Sequence, residues 1–149
     1  MKIYIETSVI GFLFAHDAPE KMRITKQFFK SLKDKEAFIS ELSLEEIEQS
    51  PEEKRKLLIN TIRKYELKVL KSSKDAEKLA DQYVQSGIVP ERYYNDALHI
   101  ALAVVNKVDV LVSWNMQHIV RLKTIVGVRE INKKLEYEEI LILNPEEVL

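Results

Sequence analysis

The chain of 149 residues has no cysteine, only three glycines and four prolines, and a single tryptophan. Without cysteine there are no disulfides, thiolate metal sites or thiol nucleophiles, which fits a reducing, cytoplasmic setting. With Gly11, Gly87 and Gly127 as the only glycines, there is no phosphate-cradling loop and no dinucleotide fingerprint. An excess of charge of one sign is also missing. Lys+Arg number 23 against 24 Asp+Glu, a formal net charge of -1, so any basic surface for a polyanion must be local. The longest clean apolar run, residues 100–105, is far too short to span a bilayer. Glu6 breaks the apolar N-terminal stretch before a signal-peptide core forms. No serine lies in a nucleophile-elbow pattern, and His16, His99 and His118 lack zinc-motif spacing.

What is present, 46% hydrophobic and 32% charged residues, suffices for the core of one domain spanning residues 1–149. Lys2–Ile5 reads as a buried strand followed at once by Glu6, with Thr7 or Ser8 placed to cap a short apolar helix over 9–14. A helix after Asp17-Ala18-Pro19 runs to about Lys33, with Ile24, Phe28 and Leu32 inward. Its Arg23, Lys26, Lys30 and Lys33 form a basic stripe, either a solvated face or a track for a phosphate backbone. A strand over 37–39 ends in Ser40, and the following helix carries Glu41, Glu45, Glu46 and Glu48. There Ser43-Leu44-Glu45-Glu46 matches a capping box, in which Glu46 only satisfies a backbone N–H. Ser50-Pro51-Glu52-Glu53 opens another helix with Ser50 as N-cap. Lys68–Leu70 reads as a strand, and Lys74–Gln85 as an amphipathic helix ended by Gly87.

The organising stretch is 95–115. Ala97, Ile100, Ala101 and Val104 recur at helical spacing, and Leu98, Leu102 and Val105 make the other side apolar, so this helix is buried nearly all round. Asp96 and His99 interrupt that burial, three residues apart on one face. A carboxylate beside so much hydrocarbon must be paired, hydrogen-bonded or metal-bound; capping the helix or pairing with Arg92 are the plain alternatives. A buried strand, 108–112, then ends in Ser113-Trp114-Asn115. Residues 116–135 read as mainly helical with a break near Gly127, and 140–143 as a last strand closed by Asn144-Pro145. Strands alternating with helices imply a three-layer α/β/α sandwich around a mainly parallel sheet.

Ligands of open parallel sheets bind outside the carboxyl ends of the strands. Glu6 and Asn115 fall at strand ends, with Glu46 and Asp96 on neighbouring helices, so three carboxylates and an amide can converge. Oxygen ligands without cysteine suit Mg²⁺ or Mn²⁺ rather than zinc. Such an ion orients a water and neutralises charge developing on a phosphodiester. Each histidine is assigned to structure, with His118, close to Asn115, the one best placed to touch a phosphate.

Ile3-Tyr4-Ile5-Glu6-Thr7-Ser8-Val9-Ile10, Ile39-Ser40 with Glu46-Ile47, Asp96-Ala97-Leu98-His99-Ile100-Ala101-Leu102-Ala103 and Leu111-Val112-Ser113-Trp114-Asn115-Met116-Gln117-His118-Ile119 together resemble the PIN-domain family, which includes VapC-type toxins. The resemblance covers nearly the whole chain, and its most specific part is Asp-Ala-Leu-His-Ile-Ala followed by the strand and Trp-Asn. It implies a Mg²⁺-dependent endoribonuclease acting on RNA phosphodiesters, the toxin of a toxin–antitoxin pair, with a small antitoxin covering the acidic cleft, a homodimer as working unit and no membrane. The Phe12-Leu13-Phe14 stretch serves core packing or the antitoxin's groove. By position, Glu6 stands for the family's first Asp, Glu46 and Asp96 for its next acids, and Asn115 where many members have a further Asp. The implied catalytic set is Glu6, Glu46, Asp96 and Asn115, with Glu6, Glu46 and Asp96 on the metal. Glu6 is one methylene longer, a displacement of roughly an ångström at a metal, and Asn115 keeps an oxygen but loses a charge. Both changes resemble a Glu-first, Trp-Asn branch of the family. A PIN-fold module that binds RNA or protein without cutting is the alternative, and a DNA-directed structure-specific nuclease the third.

Overall fold

The computed structural model describes residues 1–149. Five strands form one sheet: β1 (Lys2–Ile5), β2 (Glu36–Ser40), β3 (Lys68–Leu70), β4 (Val110–Val112) and β5 (Leu141–Leu143), in the order β3-β2-β1-β4-β5. All four pairings are parallel, with Tyr4 opposite both Phe38 and Leu111. Eight helices connect them: α1 (Thr7–Phe12), α2 (Pro19–Lys30), α3 (Glu41–Glu48), α4 (Glu52–Lys64), α5 (Lys74–Gln85), α6 (Tyr94–Val105), α7 (Leu122–Lys134) and α8 (Pro145–Val148).

The period of two along a strand sends alternate side chains to opposite layers. Ile3, Ile5, Ile39, Val110 and Val112 pack with Val9, Ile24, Phe28 and Leu58 on the face of α1, α2 and α4. Tyr4 and Leu111 pack with Ala80, Tyr83, Ala97, Ile100 and Ala101 on the face of α5 and α6. Both faces of the sheet are therefore covered, which explains strands that read as continuous apolar runs. The sheet order reverses direction at β1, so its carboxyl end beside β4 is the switch point of the fold.

Several local expectations are corrected. Helix α1 is capped by Glu6, whose carboxylate accepts from the Ser8 N–H, and not by Thr7 or Ser8. The N-cap of α3 is Ser40, with Ser43 at N3 closing the capping box, so Glu46 is no capping residue. Pro51, not Ser50, precedes α4 and supplies no side-chain cap. The α-helix expected to reach Lys33 stops at Lys30, with a 3₁₀ turn over Ser31–Asp34. Residues 116–121 are turns, and α7 runs unbroken through Gly127. The reason is packing: a Cβ on Gly127 would lie 2.6 Å from Ile88 Cγ1, so this glycine lets α7 approach the end of α5. Gly87, at φ +75°, ends α5 in the left-handed conformation, and the N–H groups of Gly87 and Ile88 reach the carbonyls of Val84 and Tyr83.

Candidate active site

Glu6 follows β1 directly, and its side chain is buried at the switch point. Oε1 accepts from Ser8 Oγ and from Ser113 Oγ, both at 2.6 Å, and Oε2 accepts from Ser8 N–H at 3.1 Å. The two hydroxyls are anchored in turn, Ser8 Oγ by Trp114 N–H and Ser113 Oγ by Asn115 N–H. The loop after β4 thereby locks the first acid.

Glu46 projects from α3 with 30% of its side chain exposed. Its Oε1 accepts from Thr7 Oγ1 at 2.6 Å and from His99 Nε2 at 2.7 Å, leaving Oε2 without a protein donor. His99 is fully buried, and its Nδ1 lies 2.6 Å from the Tyr4 hydroxyl, itself 2.7 Å from Ser40 Oγ. Burial by itself lowers the His99 pKa, but the Tyr4 hydroxyl, the Glu46 hydrogen bond and the charges of Glu6 and Glu46 outweigh it and raise it well above 6.5. Burial likewise raises Glu46, and the His99 hydrogen bond and charge, with Thr7, bring it below 4.5. Both His99 nitrogens are engaged, Nε2 with the Glu46 carboxylate and Nδ1 with the Tyr4 hydroxyl, which also meets Ser40 Oγ.

One ligand atom each from Glu6, Glu46 and His99 lies within 4.8 Å of the others. Asp96 is not one of that tight group, whose third member is His99, but its carboxyl feels the Glu6 charge. Asp96 does not cap α6, whose N-cap is Tyr93, and forms no ion pair with Arg92. Its carboxyl is raised above 3.8 by burial first and by the Glu6 charge second, partly offset by the nearby Asn115 amide, His99 and His118. Asn115 Oδ1 accepts from Gln117 and His118 N–H, so its oxygen holds the turn. His118, expected to touch a phosphate, is buried against the Tyr93 ring.

The donor set fits a hard divalent cation. Two carboxylates have their Oε1 atoms fixed by hydroxyl and imidazole groups and ionisation of the third is opposed by burial and by like charge, a pattern a cation relieves. His99 is not a ligand on this geometry, because both ring nitrogens are already spent. Sequence reasoning assigned His99 to structure; the signal that pointed to it was its i, i+3 spacing from Asp96.

An all-parallel sheet with carboxylates at its switch point, and no glycine-rich loop, defines an α/β protein with an acidic cluster at the sheet's carboxyl edge. More narrowly, residues 3–115 match the family described as PIN domain, and the chain belongs to it. Members of that family are generally nucleases, and the matched span includes Glu6, Glu46, Asp96 and Asn115. The crystal structure of VapBC2 from Rickettsia felis bound to a DNA fragment from their promoter contains a chain of the same fold. It matches with TM-score 0.58 and 15% identity over 97% of this chain and 98% of that one. No curated protein sequence matches. No helix is long and apolar enough to cross a membrane.

Proposed function

We propose that the chain is a metal-dependent endoribonuclease, with Glu6, Glu46 and Asp96 holding Mg²⁺ or Mn²⁺. The observation that carries this reading is that Glu6 and Glu46 each keep an oxygen free of side-chain donors while Asp96 is held in electrostatic conflict with Glu6. When bound, the metal supplies an activated water and offsets charge on the phosphodiester. The chain's own residues do the rest. Ser8 and Ser113 aim Glu6, Thr7 and His99 aim Glu46, and the Asn115 amide works against the rise in the Asp96 carboxyl pKa. Fixed donors of this kind need no rearrangement as the phosphate gains charge.

The likeness to a chain of VapBC2 supports a toxin role with an antitoxin partner. A cleft of about 350 Å³ beside the acids, lined in part by Thr7, Ser8, Gly11, Phe12 and Leu58, offers that partner a landing place. The working unit is a homodimer in this reading.

The test is cleavage of a pool of single-stranded and structured RNA in Mg²⁺, in Mn²⁺ and in EDTA, alongside Asp96→Asn and a matched DNA pool. The expected outcome is RNA cleavage that needs metal and falls by about a hundredfold or more in Asp96→Asn. RNA binding indifferent to metal, with no product, would overturn it in favour of the binding module.

A further inference from the structure

Tyr93, three residues before Asp96, meets His118, three residues after Asn115. Their rings are 4.1 Å apart between centroids and tilted by 30°. His118 is only 7% exposed, with both ring nitrogens buried and free of hydrogen-bond partners, so it contributes an aromatic plate and not a polar contact. Its main chain is tied down twice, by N–H donation to Asn115 Oδ1 and by acceptance from Thr124 Oγ1. Tyr93, by contrast, remains 37% exposed. The exposed Arg92 guanidinium lies over the Tyr93 ring, its carbon 5.4 Å from the centroid, so a stacking base must share or displace that contact. Tyr93 stands three residues before Asp96 at the start of α6, and Asn115 fixes the His118 main chain.

A tyrosine that merely roofed a core histidine would be buried with it. This one is backed by a fixed ring, open on part of its surface, and flanked by an exposed cation with five donors. Aromatic rings with an adjacent arginine are the means by which proteins hold unstacked bases of single strands, the base on the ring and the phosphate on the guanidinium. From this juxtaposition we infer that Tyr93, backed by His118, is a nucleobase-stacking subsite that takes an unpaired base of the RNA next to the scissile phosphate, with Arg92 on the adjoining phosphate. The inference rests on the nuclease reading for its choice of RNA. It makes an unpaired segment the substrate class, because a paired base cannot present its face to Tyr93.

The experiment uses short single-stranded RNAs carrying one 2-aminopurine at successive positions, bound to the Asp96→Asn protein so that binding is read without cleavage. Stacking on Tyr93 quenches the fluorophore at one position. Tyr93→Ala is expected to abolish that quenching and weaken binding about tenfold or more, whereas Tyr93→Phe, which keeps the ring, retains both. An otherwise identical RNA with an abasic residue at that position binds the unaltered Tyr93 protein as weakly as the intact RNA binds Tyr93→Ala. Equal quenching and affinity before and after the Tyr93→Ala substitution, or no position-dependent quenching at all, overturns the subsite. The two readings fail separately. Quenching that needs Tyr93 supports the subsite even if the wild-type chain cuts nothing, and cleavage unaffected by Tyr93→Ala leaves the nuclease while removing the subsite.

Discussion

Glu46 illustrates how much a single side chain depends on its surroundings. Its position in an acidic helix reads as one solvated acid among several, and only the contacts with Thr7 and His99 separate it from Glu41, Glu45 and Glu48. The ion pair has a defined pH signature. His99 titrates above 6.5 in the folded chain, so its stabilisation is complete below that value and is lost as pH rises through the raised pKa. Glu46 titrates below 4.5, so its contribution is present above that value and is lost as pH falls through the lowered pKa. The pair therefore contributes fully between pH 4.5 and 6.5. Glu46→Gln is expected to lower the His99 pKa, read from its imidazole proton shifts by NMR. In that pH window it should cost roughly 1–3 kcal/mol, the partial exposure of Glu46 discounting the larger value of a fully buried pair. An unchanged His99 titration would show that Tyr4 and Glu6 hold the charge without Glu46. Glu6 and Asp96 were legible as candidates because carboxylates at strand ends and inside apolar helices are costly without a purpose, whereas Glu46 and Asn115 were singled out by the resemblance to the family. His99 was not, because an imidazole on a buried helix reads as core until its partners from β1 and α3 are known.

At the scale of elements, strands and helices were legible where the periodicity was strong and misread where two caps competed. The strands Lys2–Ile5 and Lys68–Leu70 and the helix Lys74–Gln85 lie where the pattern puts them. The start of α3 does not, because Ser40 and Ser43 are both good caps and the sheet decides between them: Ser40 is the last residue of β2, and its hydroxyl also meets Tyr4. Gly127 misleads for a related reason. Inside a helix, glycine costs about 1 kcal/mol relative to alanine, and reads as a break. Here it clears space for Ile88, whose Cγ1 and Cδ1 would lie 2.6 and 2.8 Å from an added Cβ. Gly127→Ala is expected to destabilise by about 1 kcal/mol net, overpacking of about 1–3 kcal/mol outweighing the better helix propensity. In an Ile88→Ala background the same substitution should become stabilising. Urea unfolding of the four proteins of this cycle gives the coupling, and an additive result would remove the packing explanation.

For the whole molecule, the acids gather because the sheet order reverses at β1, which puts the ends of β1 and β4 and the helices α3 and α6 around one point. The gathering opposes stability. Asp96, pushed up by burial and by Glu6, is a cost to the folded state at any pH where it is ionised. Asp96→Asn is therefore expected to raise the melting temperature in EDTA by about 2–4 °C, the equivalent of roughly 1 kcal/mol in a chain of this size. Mg²⁺ should raise the melting temperature of the wild-type chain and leave that of the variant nearly unchanged. A variant less stable than wild type in EDTA would show that Asp96 serves the fold and not a cation. By itself the sequence determined the fold class, the parallel sheet and which acids were candidates, because hydrophobic period, caps and the cost of buried charge act over a few residues. Only the tertiary structure decided that His99 aims Glu46, that Asn115 turns its oxygen to its own loop, and that Tyr93 lies on His118. Most of those partners come from elements far apart along the chain, and hydrogen bonds and ring stacking depend on ångström distances that no local pattern encodes.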